Sequence, residues 1–277
     1  MNEEILKYKK WIARTILQSL SEFELENAAE HFAIEYTHDS TAIEGNTISL
    51  IGTRMILVDG VVPAETSVRE LDEVRDHADA WSYVKECVSK KEPLNEDKIK
   101  DIHQHVIRRA GIGGAYRSIP VYIRGAQYVP PSPVKVWSLM GNFGYRLEHD
   151  AFSSAIEKAA WAHAELVKIH PFTDGNGRTA RLIMNYILME DGYLPTSIKK
   201  DTTSEYFATL ETYSLKNDLT PFIELLARHE EKTLDDFLKM YQQHIKPDEM
   251  KQESPQIAEI AQQYVTLADT EGPKFFL

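Results

Sequence analysis

Residues 170–181 read HPFTDGNGRTAR and run straight into the apolar stretch LIMNYILM. Leu182, Ile183, Tyr186, Ile187 and Met189 recur at helical spacing, and Asp191-Gly192 supplies a stop, so the spacing predicts a loop feeding the start of a helix. Gly175 and Gly177 flank Asn176 and let the backbone turn its N–H groups inward. A helix start adds unpaired N–H groups and the positive dipole end, which together suit an anion. Arg178, Arg181 and Asn185 stand at i, i+3 and i+7, on one stripe of that helix. Two guanidinium groups above an anion hole suggest more than one phosphate. Asp174 is a hard oxygen ligand for a Mg²⁺ bridging phosphate oxygens, and His170 is a base near neutral pH. The chemistry indicated is phosphoryl-group chemistry. The P-loop order GxxxxGK[ST] is absent, and His163 and His170 lack the HExxH spacing of a metal hydrolase.

Working outward, the chain reads as all-α with one β interruption. Its 277 residues are 43% hydrophobic and 27% charged, ample for a core. Helices are expected over Glu4–Leu20, Glu22–Tyr36, Ser49–Asp59, Glu65–Lys90, Asn95 to about Arg109, Ser132–His149, Phe152–Ile169, Asp201–Leu215, Thr220–His244 and Pro255–Ala268. Asp39–Asn46, DSTAIEGN, reads as a short helical turn ended by Gly45-Asn46. Tyr116–Val129 is expected to form a hairpin turning at Arg124-Gly125-Ala126, with flanking prolines confining it to an edge. An exposed edge of that kind can dock an extended peptide. Ile245–Pro255 is polar and proline-bounded, a linker before the last helix and the tail DTEGPKFFL.

The net charge of −12 argues against nucleic acid or an anionic membrane as the main partner. Cys87 is the only cysteine, so no intrachain disulfide can form. The N-terminus has no apolar signal region and no stretch approaches a membrane span, so the expected setting is cytoplasmic and soluble.

The 170–181 stretch resembles the signature of the Fic family, HxFx(D/E)GNGRxxR, at every specified position: His170, Phe172, Asp174, Gly175, Asn176, Gly177, Arg178 and Arg181. The resemblance runs from about Phe32 to about Phe237. It implies an all-α Fic-type bundle with a β-hairpin flap beside the active site, and a core over 32–240. Residues 1–31 would be a helical extension and 241–277 a linker with a terminal helix. Both lie outside the resemblance and by periodicity serve helical packing or assembly into a homo-oligomer. The implied activity is transfer of AMP from ATP to a Ser, Thr or Tyr hydroxyl of a target protein, or of the chain itself. His170 would be the general base, Asp174 the Mg²⁺ ligand, and Gly175–Gly177 the anion hole with Asn176 adding a side-chain donor. Arg178 would hold the β-phosphate and Arg181 the γ-phosphate, and Phe172 would fix the loop. Tyr206 and Phe207 resemble the aromatic pair near the adenine, and Val121, Tyr122 and Ile123 the target-docking flap. Ser40–Asn46, STAIEGN, resembles the family's inhibitory motif (S/T)xxxE(G/N), which places Ser40 and Glu44 on an inhibitory helix of about 37–46, with Glu44 pairing bidentately with Arg181. The same residues would serve AMP removal with Glu44 aligning a water. A non-catalytic nucleotide-binding module would share the anion hole but has no use for His170.

Overall fold

The computed structural model describes residues 3–271, and among these it contains helices and turns but no strand. Twelve α-helices follow in order: α1 (Glu3–Ser19), α2 (Glu22–Ala42), α3 (Leu50–Arg54), α4 (Val68–Ser89), α5 (Glu96–Val106), α6 (Pro133–His149), α7 (Ala155–Ile169), α8 (Asn176–Glu190), α9 (Thr203–Lys216), α10 (Thr220–Met240), α11 (Pro247–Met250) and α12 (Pro255–Glu271). A π-turn, Met55–Asp59, extends α3 and closes at Gly60 in the left-handed conformation. Several starts carry the side-chain acceptor that the orphan N–H groups of a first turn need. Ser21 and Glu24 form a reciprocal capping box at α2, while Ser67, Asn95 and Ser154 cap α4, α5 and α7.

The fold is organised around α7 and α8. Ala159, Ala160, Ala162 and Ala164 give α7 small faces, so α8 approaches closely enough to be buried almost all round. Around this pair stand α4, α5, α6, α9 and α10. Leu6, Ile12 and Ile16 of α1 belong to the same buried cluster as Leu182 and Leu225, and Lys9 pairs with Glu231 and Asp235 of α10. Ile245, Met250 and Ile257 join that cluster too. Residues of α1 and of the 245–264 stretch therefore pack on the same core as α7 and α8. Helix α11 lies inside the expected linker. The tail beyond Glu271 lies outside the described residues.

Two expectations are corrected. Ser40 lies within the last turn of a continuous α2, with Glu44 in the turn that follows, because nothing in Tyr36–Asp39 interrupts the helix. Tyr116–Val129 forms no hairpin ladder. It is an irregular loop with one turn, closed by the Ala126 N–H donating to the Ile123 carbonyl and by Gly125 at φ +80°. Pro120 and Pro130-Pro131 bound the stretch on either side of the turn.

Candidate active site

The loop His170–Gly175 joins α7 to α8 and is held by contacts on every side. His170 caps α7 in the left-handed conformation (φ 52°, ψ 59°), its N–H donating to the Leu166 carbonyl at 2.8 Å. That conformation is costly for a non-glycine residue, and more so before proline. Arg117 compensates. Its Nε donates to the His170 carbonyl at 2.7 Å, its backbone N–H to the Pro171 carbonyl at 2.9 Å, and its guanidinium also reaches the Ile119 and Pro131 carbonyls. The imidazole Nδ1 lies 3.2 Å from the Val167 carbonyl. A carbonyl only accepts, so the Nδ1 carries the proton and Nε2 keeps its lone pair. Burial also lowers the His170 pKa, so the ring is neutral and basic at physiological pH.

Phe172 is fully buried and stacks on His103 of α5, with ring centroids 3.6 Å apart. His103 Nε2 donates to the Asp174 carbonyl at 2.9 Å, and its Nδ1 accepts from the Gly114 N–H at 2.9 Å. Burial pushes its pKa down to about 4, which keeps that donor–acceptor arrangement intact. Asn176 closes the loop from the other end, accepting from the Phe172 N–H and donating to the Phe172 carbonyl, both at 2.9 Å. Its side chain is thus a loop brace through Oδ1 and one of the two amide N–H groups. Gly175 sits at φ +76°, and a Cβ there would meet Ile107 and Val106 at 3.0 and 3.1 Å.

These braces present the first turn of α8, residues 176–178, whose N–H groups have no intrahelical acceptor. Asp174 beside it is 63% exposed at its side chain and accepts from the Gly175 N–H at 2.6 Å through Oδ1. Arg178 is 4% exposed, its Nη2 3.4 Å from Asp174 Oδ1 and its Nε without a partner. A buried guanidinium with an idle donor suits an incoming anion. Asn185 does not share this role. Its amide is fixed by the Thr196 N–H and carbonyl, both at 2.9 Å, and i+7 lies roughly 10 Å deeper along the axis than Arg178.

Arg181 is 1% exposed and bound on several edges. Nε donates to Ser40 Oγ (2.9 Å), Nη2 to the Ser40 carbonyl (2.8 Å) and to Glu44 Oε1 (2.8 Å), and Nη1 to the Tyr206 hydroxyl (3.1 Å). Glu44 and Arg181 therefore meet as expected, through one hydrogen bond and not the bidentate fork, because Ser40 holds the adjoining N–H groups. The Glu44 carboxylate stands over Gly177, where a Cβ would fall within 2.2 Å of Oε1. On the solvent side of Glu44 an open cleft of about 400 Å³ is bounded by Gly45, Arg69, Glu73 and Arg124.

The expected adenine pair divides. Tyr206 is 1% exposed and faces Arg181 and His163, which corrects its placement beside a base, while Phe207 is 46% exposed. In the 116–129 loop Tyr122 is 80% exposed, with Val121 and Ile123 half-buried beside it. His103 and His163 carry site contacts that no local motif announces, and Arg117, in the stretch that resembles the flap, braces the His170 loop. Each histidine is a single polar residue in an ordinary context, and the only signal would have been a histidine on the apolar face of a predicted helix.

A neutral base stands at the mouth of an anion-binding helix start backed by two buried arginines, and a carboxylate lies across that start. Chemically, such an arrangement can accept an anion beside a proton acceptor. Comparison with known proteins places the chain. The Fic/DOC family matches residues 93–188. The chain is 37% identical over 219 residues to a protein adenylyltransferase Fic of Nematostella vectensis, covering 77% of this chain and 51% of that protein. It is 36% identical over 209 residues to the protein adenylyltransferase fic-1 of Caenorhabditis elegans, covering 73% and 41%. The matches thus span about half or less of these curated relatives' length. A solved Fic-1 fragment from C. elegans superposes with a TM-score of 0.74 at 31% identity, covering 85% of this chain and 71% of that one. A Fic domain containing signaling protein from Bacteroides thetaiotaomicron superposes with 0.79 at 25% identity, covering 86% and 96%. The chain belongs to the Fic/DOC family. Among the described residues no helix is long and apolar enough to cross a membrane.

Proposed function

We propose that the protein transfers AMP from ATP to a hydroxyl side chain of a protein, and that Glu44 holds it in a resting state. The observation that carries this reading is the neutral His170, with a bare Nε2, in the loop that leads into the first turn of α8. In the reaction, a Ser, Thr or Tyr oxygen attacks the α-phosphorus of ATP while His170 Nε2 takes its proton. A new O–P bond forms, the bond from the α-phosphorus to the bridging oxygen breaks, and pyrophosphate leaves with that electron pair. The first-turn N–H groups and Arg178 hold the phosphates, and Arg181 the γ-phosphate. Little covalent work is left to the protein, so positioning and fixed positive charge carry most of the rate enhancement.

Asp174 fits a Mg²⁺ that is also bound by substrate phosphates. It offers one exposed carboxylate in a place where several waters can remain, as this ion prefers. When bound, the ion would neutralise phosphate charge. The Val121–Ile123 segment, with Tyr122 exposed, would dock target peptide, and Phe207 offers an exposed aromatic face for the adenine.

Glu44 blocks in two ways. It takes an Arg181 donor that the γ-phosphate needs, and it occupies the space over Gly177 where phosphate oxygens must lie. The test of the activity is His170→Ala. Removing the imidazole takes away proton acceptance, worth ~10²–10⁴-fold, but no phosphate donor. Transfer should be lost while ATP binding persists; transfer at the wild-type rate would overturn the base assignment.

A further inference from the structure

Among the described residues, Arg181 makes four hydrogen bonds, and three of them go to the α2 end that also carries Glu44: Ser40 Oγ, the Ser40 carbonyl and Glu44 Oε1. If that segment shifts to admit a triphosphate, it carries those three partners with it. The fourth partner, Tyr206, comes from α9 and is fixed independently. Its hydroxyl lies 3.1 Å from Arg181 Nη1 and 3.0 Å from His163 Nε2 on α7.

The direction of this chain of bonds follows from the groups themselves. A guanidinium only donates, so the phenol oxygen accepts from Arg181 and must send its own proton elsewhere. The acceptor is His163 Nε2, so His163 is neutral with its proton on Nδ1. Full burial and the nearby Arg181 charge both lower the His163 pKa, which maintains that form. The rings have little freedom to depart from it. Tyr206 stands edge-on to His163 at 5.6 Å, and Phe222 lies against the other side at 4.8 Å.

We infer that His163 and Tyr206 are positioning residues that keep the Arg181 guanidinium aimed at the γ-phosphate once the Glu44 segment has withdrawn. The pair makes Arg181 a fixed receptor that a carboxylate and a phosphate occupy in turn, so the arginine need not swing between states. This inference rests on the transferase reading for the identity of the second occupant.

The test measures nucleotide binding in the Glu44→Gly protein, where the pair is the anchor outside α2. A non-hydrolysable ATP analogue and ADP are titrated with Mg²⁺ present. The Glu44→Gly parent should prefer the ATP analogue. Tyr206→Phe keeps the ring and removes the acceptor, and it should weaken the ATP analogue about tenfold while leaving ADP unchanged, since only the γ-phosphate is lost from the comparison. His163→Leu should reproduce that selective loss. His163→Gln, whose side-chain oxygen reaches the Nε2 position, should restore most of it. In turnover the same variants should raise KM for ATP more than they lower kcat. Equal weakening of both nucleotides, or of neither, would overturn the inference, as would a His163→Gln protein no better than His163→Leu. Should His163→Leu fail to fold, the Tyr206→Phe comparison decides alone. A Glu44→Gly parent that binds neither nucleotide would instead refute the transferase reading, and one without preference for the γ-phosphate would refute the role given to Arg181.

Discussion

Replacing Glu44 by glycine should raise transfer from ATP, and the structure sets the size of the effect. The carboxylate makes one charge-assisted bond of 2.8 Å to a buried guanidinium, but its own side chain is 37% exposed. Such bonds contribute ~1.5–3 kcal/mol, and partial exposure favours the lower half of that range. A resting state held by roughly 1.5–2.2 kcal/mol corresponds to activation of about 10- to 40-fold. Charge is only part of the block, because Oε1 also fills the space over Gly177. Glu44→Gln removes the charge and keeps the bulk, so activity should rank Gly above Gln above wild type. Arg181→Ala should not activate, since it also removes the γ-phosphate's partner, and the double substitution should behave like Arg181→Ala. The assay is the initial rate of protein labelling from ATP carrying label on the α-phosphate. Unchanged labelling in Glu44→Gly would refute the reasoning and leave Ser40–Asn46 as an ordinary helix end.

Arg117→Ala should lose most transfer while retaining ATP binding, because Arg117 holds the strained His170 carbonyl and touches no phosphate donor; a melting curve should show a cost of ~2–4 kcal/mol, and full activity would discard the clamp. Acid should destabilise the fold: His77, His163 and His170 have lowered pKa values and His103 sits at about 4, so between pH 6.5 and about 4 the unfolded chain binds protons that the folded one refuses, and thermal midpoints should fall through that window. Buried Glu230 has the opposite sign, its pKa being pushed well up by burial, so its contribution is lost as pH rises; Glu230→Gln should melt higher than wild type at pH 8 and about level near pH 4.5. Ile123→Pro removes a backbone donor from the exposed loop and should weaken target modification more than ATP binding, whereas equal loss of both would count against peptide docking there.

The helical class was legible because a 3.6-residue apolar period runs through most of the chain, and caps such as Asn95 and Ser154 are local chemistry. The 170–181 loop was legible for the same reason: its glycines, its base and its arginines lie within one short stretch. Glu44 and Arg181 are 137 residues apart, and only the resemblance of two separate motifs brought them together in advance. The misreadings have a common origin in depth. Asn185 shares the arginines' stripe but lies two turns inside the bundle, so its amide serves the Thr196 backbone. Tyr206 occupies a position shared with its exposed neighbour Phe207, yet helix phase turns its hydroxyl inward to Arg181. The expected hairpin had β-branched residues and a turn, but the turn's single Ala126-to-Ile123 bond is not continued into a ladder. His103 and Arg117 act on backbone carbonyls, and no sequence pattern marks a side chain whose partner is main chain far along the chain.

The most direct measurement incubates Glu44→Gly protein with Mg-ATP, alone and with a cell extract, using ATP labelled on the α-phosphate in one set and on the γ-phosphate in another. Label and intact mass are then followed on protein. The account predicts α-label only, a mass increase of one adenylyl group on the modified protein, and loss of both in the Glu44→Gly/His170→Ala protein. Label from the γ-phosphate, or α-label that survives removal of His170, would contradict it.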